Sequence, residues 1–276
     1  VIEGGRLELK DSLLSTYLFV FDSLVQPGRQ LKMHFTISKQ LKGFEISNSI
    51  VENGTYLAHD RFDPFLGYVD FLEIDDSEER LKRGLPEKKQ LAYNDPHLRD
   101  GGKFTLNKVN YETTVSTSGD QIGLASGKLI RRWSENGRNY FHYQANQKIR
   151  KVMNYFSAKY EKITESFHGT EIEMYFHPSH YRNIDLMVEY TKATLGYASE
   201  NFGPYQHDYI RIAEIPGHRG FGGQAMPGVI AMTEVAMYTK DIRNPEKGIN
   251  VVARRTIHEV AHQWWSHQLS PKKVVG

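Results

Sequence analysis

The pentapeptide His258-Glu259-Val260-Ala261-His262 constrains this chain more than any other segment. On an α-helix, positions i and i+4 lie on one face about one turn apart, so both imidazoles can reach a single point in space. Glu259 lies roughly 100° further round the same helix than His258. The segment therefore predicts a helix that presents two His rings and a carboxylate to one cleft.

This pattern is typical of metal sites. Two imidazoles on one helical face can bind one ion, and zinc-dependent peptidases combine them with a Glu that addresses a water at that ion. With 12 His and 33 Asp plus Glu among 276 residues, chance would produce the motif in roughly a few per cent of such chains. The alternative is a merely polar helix face. We interpret His258 and His262 as metal ligands and Glu259 as the catalytic general base.

Composition limits what else the chain can do. It has no Cys, so a thiolate metal site, a disulfide and a cysteine nucleophile are excluded, and a metal must be bound by His and carboxylates. The net charge is only +2, and Lys and Arg are spread along the chain, so the sequence gives no support for a basic surface that binds nucleic acid. At 276 residues, 39% of them hydrophobic, the chain is globular and forms one large domain or two ordinary ones.

The first part of the chain has the pattern of strands and turns. Leu31, Met33, Phe35 and Ile37 alternate with polar residues, as in a half-buried strand. This pattern predicts an antiparallel β domain of sandwich or saddle type over 1–166. Further strands are predicted at 16–21, 104–117, 121–133 and 139–143, and a short surface helix in the first half of 75–89.

After about residue 166 strands and helices alternate, so the fold class is α+β with a second domain at 167–276. Strands are predicted at 171–177, 209–215 and 229–232, the last as an edge strand, with a glycine-rich loop at 216–228. A helix at 181–202, ended by Gly203-Pro204, buries Ile184, Met187, Val188, Thr191, Leu195 and Ala198. The motif helix, with Asn244 as N-cap and Pro245 in its first turn, buries Ile249, Val252, Ala253, Ile257, Val260 and Trp264.

A catalytic zinc site generally needs a third protein ligand, and no carboxylate follows Glu259 in this chain. Glu234 is an upstream candidate. His267 lies five residues past His262 and so points roughly 140° away from it, which predicts a packing role at the helix end. The other upstream histidines have no partner spacing and are predicted at the surface or core edge, namely His177, His180, His207 and His218.

The segment from His258 to Trp265 resembles the metal helix of the aminopeptidase N type of zinc peptidases, the gluzincins. Their third ligand is a Glu about 19 positions after the second His, which here would fall just past Gly276. The resemblance implies Zn²⁺ as cofactor and a peptide substrate. It also implies an N-terminal β domain followed by the N-terminal part of a thermolysin-like catalytic domain, with little metal or activity in the chain alone.

Other segments are similar to a subgroup of this family that is fused to the C-terminus of ABC-transporter permeases. The resemblance implies a membrane-transporter parent or partner, through which a chain that is itself soluble would be tethered to a membrane. The segments that carry the resemblance are 51–55, 113–121, 139–143, 155–161 and 171–178.

The family's aminopeptidases hold the substrate's amino terminus with the Glu of a Gly-Ala-Met-Glu-Asn loop. The matching stretch here is Gly223-Gln224-Ala225-Met226-Pro227-Gly228, in which Pro227 and Gly228 replace Glu and Asn. Neither can supply a carboxylate, so exopeptidase specificity is in question. We predict that Gly223, Gln224, Ala225 and Met226 bind substrate and that Glu234 is a substitute for the missing Glu. The loop at 216–228 is predicted to offer a backbone edge that pairs with an extended peptide, the alternative being a flexible connection with glycines at turns.

Two functions from different classes follow. The first is a zinc metallopeptidase in which Glu259 takes a proton from water and passes it to the leaving amine. The second is an inactive peptidase-like binding or assembly domain of a transporter, favoured by the altered loop and opposed by the intact metal motif. Trp264 and Trp265 are predicted to pack, one towards the core and one towards the third-ligand helix.

Overall fold

The structure is a computed structural model that describes residues 1–12, 15–44, 47, 49–59, 62–66, 73–88, 108–216, 222–243 and 250–269. Strands predominate and helices are few, which confirms the α+β class. The chain divides into two compact units, Val1–Glu45 and Ile46–Gly276. The predicted boundary at 166/167 stays a prediction. None of the described helices has the length and apolar character that a membrane crossing requires.

The first unit contains one antiparallel hairpin, β1 (Arg6–Asp11) with β2 (Thr16–Val20). The strand predicted around Leu31 to Ile37 is wrong, because only Met33 forms an isolated bridge, to Ile2. Phe35 and Ile37 are each 52% exposed. A period of two makes a strand only where a neighbouring strand supplies hydrogen bonds, and here, within the described residues, the backbone hydrogen bonds are limited to those of Lys32 and His34 with residues 1–3.

The second unit begins with three small antiparallel sheets. Two of the predicted strands are divided. The described part of 104–117 forms the strands Lys108–Val109 and Glu112–Ser118, and 104–107 lies outside the described residues. Residues 121–133 form two strands because Gly127 turns the chain with a φ of +96° between them. The predicted surface helix is confirmed as α1 (Ser77–Lys82). The sheets comprise β3 (Ile50–Val51), β4 (Gly54–Leu57), β7 (Ile122–Leu124) and β11 (Tyr155–Ala158); β6 (Glu112–Ser118), β8 (Lys128–Glu135) and β9 (Arg138–Gln144); and β5 (Lys108–Val109) with β10 (Ile149–Arg150).

A five-stranded mixed sheet forms the centre of this unit, in the order β12-β13-β14-β16-β15. Its strands are β12 (Glu161–Phe167), β13 (Thr170–Phe176), β14 (Tyr209–Ile215), β15 (Gly223–Met226) and β16 (Val229–Thr233). β13, β14 and β16 run parallel, and the outer β12 and β15 run antiparallel to their neighbours. The prediction of 229–232 as an edge strand is wrong. Its continuous apolar run is instead that of an inner strand buried on both faces.

Two helices cover one face of this sheet, α2 (Ile184–Phe202) and α3 (Val251–Ala261). All six residues predicted to form the buried stripe of α2 are buried, and the helix ends at Gly203 with a φ of +105°. Tyr56, Leu124 and Phe156, from the small sheets, pack on the opposite face. The central sheet is therefore buried between helices and a β layer, as a strand sequence apolar on both faces requires.

A buried ion pair lies within the central sheet, and its arginine also bonds to the β layer. The Arg211 Nε donates to Glu173 Oε2 at 2.7 Å, and its Nη1 donates to the Ala125 and Gly127 carbonyls at 2.8 and 3.3 Å. Lys162 also pairs with Glu173. Burial alone would raise the pKa of Glu173, but the charge of Arg211, together with Lys162, lowers that pKa below its usual value. The carboxylate is thus ionised and compensated inside the protein.

His207 lies between α2 and β14, close to the rings of Tyr205 and Tyr209. Burial lowers the pKa of His207 to about 4, opposed by Asp208 and assisted by Lys108. Its Nδ1 has no hydrogen-bond partner among the described residues. The placement at the core edge predicted from the sequence agrees with this environment, which keeps the ring neutral.

We expect the stability of the protein to fall in mild acid because of His207. Between pH 6.5 and about 4 the unfolded chain binds a proton that the folded chain does not, so stability is lost as the pH falls through this window. From pH 7 to pH 5 this group should lower the free energy of unfolding by about 2 kcal/mol. Urea denaturation at both pH values should show that His207→Gln loses this part of the pH dependence. Identical pH dependence in both proteins would contradict the expectation.

Candidate metal centre

The motif helix α3 has an N-cap residue at its start, and one side of the helix is buried. Asn250 is the N-cap, and its side-chain oxygen accepts from the Ala253 backbone N–H at 3.1 Å. The predicted N-cap Asn244, with Pro245 and Ile249, lies outside the described residues. Of the predicted stripe, Val252, Ala253, Val260 and Trp264 are buried.

The prediction that Ile257 is buried is wrong, since it is 41% exposed. At 100° per residue Ile257 lies about 140° from Val252, just beyond the buried arc, whereas Thr256 lies at about 40°, within it. Thr256 is fully buried and its hydroxyl donates to the Val252 carbonyl at 2.9 Å. His258 and His262 lie on the other side of the arc, at about 240° and 280°, and both are accessible to solvent.

The two imidazoles meet as the motif predicts. Their Nε2 atoms are 3.1 Å apart. The Nδ1 of His262 lies 3.1 Å from the Trp265 carbonyl oxygen, which can only accept a hydrogen bond. The proton of a neutral His262 is therefore on Nδ1, and the lone pair on Nε2 is free to bind a metal.

The pair fits a zinc ion. Two ligand nitrogens at about 2.0–2.1 Å from a tetrahedral zinc are about 3.3 Å apart, close to the 3.1 Å observed here. The carbonyl that holds Nδ1 of His262 is also the kind of outer partner that orients metal-binding histidines. His258 and His262 are thus suited in type and spacing to hold the ion.

Glu259 lies between the His pair and the core, and only 7% of it is exposed. Burial raises its pKa, and the nearby His262 and His258, together with a backbone hydrogen bond from Ala225, oppose this rise. A carboxyl group whose affinity for a proton is raised in this way is suited to accept one and return it.

Edge strand β15 packs directly against Glu259. A Cβ atom on Gly223 would lie 2.8 Å from Glu259 Cγ and 2.9 Å from Cδ, so only glycine permits this approach. Gln263, also buried, bonds the end of β15 to the helix. Its Oε1 accepts from the Gly228 N–H at 2.9 Å and its Nε2 donates to the Met226 carbonyl at 3.0 Å. The helix and the edge strand thus form one rigid wall of the site.

Gln263 acquires this role only in the structure. From the sequence it was no more than part of the family resemblance. A signal was nonetheless present, because it lies about 20° from Val252, within the buried arc. A polar residue at such a position has to find hydrogen-bond partners in the interior.

Pro227 and Gly228, at the positions of the family's Glu and Asn, form the two-residue turn between β15 and β16. Gly228 has a φ of +70°, and a Cβ there would lie 2.6 Å from the Tyr209 hydroxyl oxygen. The turn therefore requires glycine for its backbone conformation and for its packing. The loss of the carboxylate at these positions thus accompanies a tight hairpin.

Gln224 is oriented by two buried residues from distant segments. Its Oε1 accepts from the Tyr56 hydroxyl at 2.6 Å and from Asn154 Nδ2 at 3.1 Å. Asn154 is fixed in turn, because its Oδ1 accepts from the His59 backbone N–H at 2.9 Å. The amide oxygen of Gln224 is thus occupied, and its Nε2 remains available to donate.

The described residues do not complete the metal site. Within them, only His180, Glu214 and Glu234 form a group of three or more potential ligands whose atoms lie within 4.8 Å of one another. Glu234 thus lies beside His180, and its role in substrate binding stays a prediction. His180, which has no partner spacing in the sequence, does have a partner in the structure: its Nδ1 is 2.6 Å from Glu214 Oε1. Because His180 and Glu214 are 34 positions apart in the chain, local spacing could not predict their contact.

The helix end packs largely as predicted. His267 is buried, and burial lowers its pKa to about 3. Trp264 is fully buried and its Nε1 donates to the Gly203 carbonyl at 2.8 Å. Trp265 is 43% exposed and contacts Phe202, so its predicted packing against a further helix stays a prediction.

We expect Gly223→Ala to impair the site. The added methyl group must displace the Glu259 carboxylate or the edge strand, and a shift of about 1 Å in a catalytic group costs roughly 10²-fold in rate. The kcat for the peptide cleavage that is proposed below should therefore fall by about 10²-fold. Gly196→Ala is the matched control, because a Cβ there meets nothing closer than 3.4 Å. An unchanged kcat in Gly223→Ala would refute the packing role.

Comparison with known proteins concerns the fold of this chain. No protein-family model and no curated protein matches the sequence. The structure is similar to Legionella pneumophila aminopeptidase A in complex with aspartic acid, with a TM-score of 0.54 and 16% identity over 60% of this chain and 21% of that one. It is also similar to a mutant of the M1 zinc metallopeptidase from Deinococcus radiodurans, with a TM-score of 0.48 and 15% identity over 60% of this chain and 37% of that one.

At these identities the likeness concerns the fold. Over the covered part, the chain is similar in fold to an aminopeptidase, which supports the family resemblance at the level of the fold. The chain spans about a fifth of the length of the Legionella enzyme and just over a third of that of the Deinococcus enzyme. The link to transporter permeases stays a prediction.

Proposed function

We propose that this chain is part of a zinc-dependent peptide hydrolase. The observation that carries the proposal is the convergence of the His258 and His262 Nε2 atoms, 3.1 Å apart, next to a buried Glu259. A polar helix face without a function would have no need to hold two imidazoles together or to bury a carboxylate beside them.

His258 and His262 would bind the zinc, and the resemblance implies that the third ligand is a Glu in sequence after Gly276. Bound zinc would supply Lewis-acid activation of a water and of the scissile carbonyl. Glu259 takes a proton from the attacking water and passes it to the leaving nitrogen. Gly223 keeps the carboxylate in place, and Trp265 fixes the orientation of His262.

Edge strand β15 would bind the peptide. On one side Gly223 to Met226 pair with β16, and within the described residues no strand pairs with the other side. An extended peptide can add to such an edge through main-chain hydrogen bonds. Because β15 also contacts Glu259, a peptide bound there would run past the catalytic carboxylate.

Gln224 bears on which end of a peptide is recognised. Its oxygen already accepts two hydrogen bonds, so it offers N–H donors to the ligand. Donors suit a carbonyl or carboxylate and do not suit an ammonium group. With Pro227 and Gly228 in the turn, we propose that the site recognises peptide carbonyl groups through Gln224, and that Glu234 is the remaining candidate for binding a free amino terminus.

The second candidate is a binding or assembly domain associated with an ABC-transporter permease. The absence of a carboxylate from the Pro227-Gly228 turn favours it, because peptide binding along β15 requires no catalysis. The buried Glu259 beside the His pair opposes it.

Zinc content tests the proposal. We expect near-stoichiometric zinc by plasma emission spectrometry in a form extended by about 60 residues past Gly276, where the third ligand is expected. His258→Gln and His262→Gln should each lower the content by one equivalent, and His168→Gln, an exposed His, should not change it. If neither His258→Gln nor His262→Gln lowers the zinc content of the extended form, the proposal of an enzyme is refuted and the binding-domain alternative remains.

A further inference from the structure

A second cluster of potential ligands lies where the parallel strands of the central sheet end. Glu214 is the penultimate residue of β14, Glu234 directly follows β16, and His180 lies four residues after β13. The carboxyl ends of parallel strands meet at one edge of a sheet, and crevices outside that edge commonly bind ligands. The cluster is distinct from the His258–His262 pair.

Glu214 orients His180 in the manner of a metal-binding histidine. Its Oε1 lies 2.6 Å from His180 Nδ1, and its Oε2 accepts from the His177 backbone N–H at 2.7 Å. A carboxylate in this position places the proton of the neutral ring on Nδ1, so that the Nε2 lone pair points outward. Glu234 Oε1 lies 3.8 Å from this Nε2.

The cluster brings two carboxylates to a single imidazole. Glu214 is only 7% exposed, and within the described residues neither it nor Glu234 forms an ion pair with Lys or Arg. Glu173, buried to the same extent in the same sheet, is paired with both Arg211 and Lys162. Buried carboxylates are normally paired or coordinate metals, and His180 by itself offers at most one positive charge to two of them.

We propose that His180 Nε2 and the Glu234 carboxylate bind a divalent transition-metal ion, with Glu214 as the positioning residue for His180. Imidazole and carboxylate ligands together suit zinc. Tetrahedral zinc ligands are about 3.3 Å apart, so the observed 3.8 Å closes by a small rotation of the half-exposed Glu234 side chain. The alternative is a cluster without a metal, in which Glu234 stays the candidate for binding the amino terminus of a peptide.

The test uses the full chain with His258→Ala and His262→Ala, which removes the first metal pair. We expect this double variant to bind zinc in a titration at pH 7, more weakly than a site with three protein ligands would. Adding His180→Gln or Glu234→Gln should abolish binding, and adding Glu214→Gln should weaken it about 10- to 100-fold. The exposed His168→Gln and Glu189→Gln are the matched controls and should leave it unchanged.

Absence of zinc binding in the double variant would overturn the proposal, as would binding that survives both His180→Gln and Glu234→Gln. A measurement on the double variant itself covers the case in which a further substitution prevents folding. With ¹⁵N-labelled histidine, zinc should shift the Nε2 resonance of His180 and leave that of His168 in place. A His180 resonance that zinc does not move would equally overturn the proposal. Neither outcome depends on peptide hydrolysis.

Discussion

Replacing Glu259 by Gln is expected to reduce peptide hydrolysis by the full-length protein by about 10²- to 10⁴-fold, the range of general acid–base catalysis. The amide has the shape of the carboxylate and fits the same space against Gly223, but it cannot accept a proton. Zinc content should be unchanged, because Glu259 is not proposed as a ligand. The measurements are kcat with an internally quenched peptide and zinc per chain.

The exposed Glu189→Gln is the control for a lost carboxylate elsewhere on the domain. Full hydrolysis in Glu259→Gln would contradict the proposed role of Glu259. If the unaltered protein cleaves no peptide yet binds zinc and peptides, the binding-domain alternative becomes the better account. A transporter phenotype that survives Glu259→Gln would lead to the same conclusion.

Arg211→Met is expected to lower the free energy of unfolding by about 3–5 kcal/mol, as breaking a buried ion pair from one side does. The substitution leaves the buried Glu173 with Lys162 as its remaining partner and removes the donor from two carbonyls, those of Ala125 and Gly127. Urea denaturation followed by circular dichroism measures the change. A loss below about 1 kcal/mol, the size of a surface pair, would contradict this account.

Two comparisons isolate the cause. Adding Glu173→Gln to Arg211→Met should recover part of the stability, because the unpaired buried charge is then gone. Arg243→Met, which breaks the exposed pair with Asp241, should change stability far less, because solvent screens an exposed pair. An equal loss in both Arg variants would mean that burial is not the cause.

Elements with their own local pattern could be predicted. All six predicted core positions of α2 are buried because a 3.6-residue period specifies a helix face without knowledge of its neighbour. Predictions failed where the outcome depends on pairing with a neighbouring strand. The alternation from Leu31 to Ile37 did not form a strand, and Val229 to Met232 became an inner strand because β15 pairs beyond it.

The pairing of His258 with His262 follows from local geometry, since their i, i+4 spacing puts both on one face of a helix. The absence of a carboxylate at Pro227 and Gly228 is likewise visible in the sequence. The surroundings of these residues depend on tertiary packing. Three groups of contacts join distant segments. Glu259 packs against Gly223, and Gln224 accepts hydrogen bonds from Tyr56 and Asn154. His180, Glu214 and Glu234 form a cluster. These contacts depend on sheet order and packing, which no spacing along a single chain encodes.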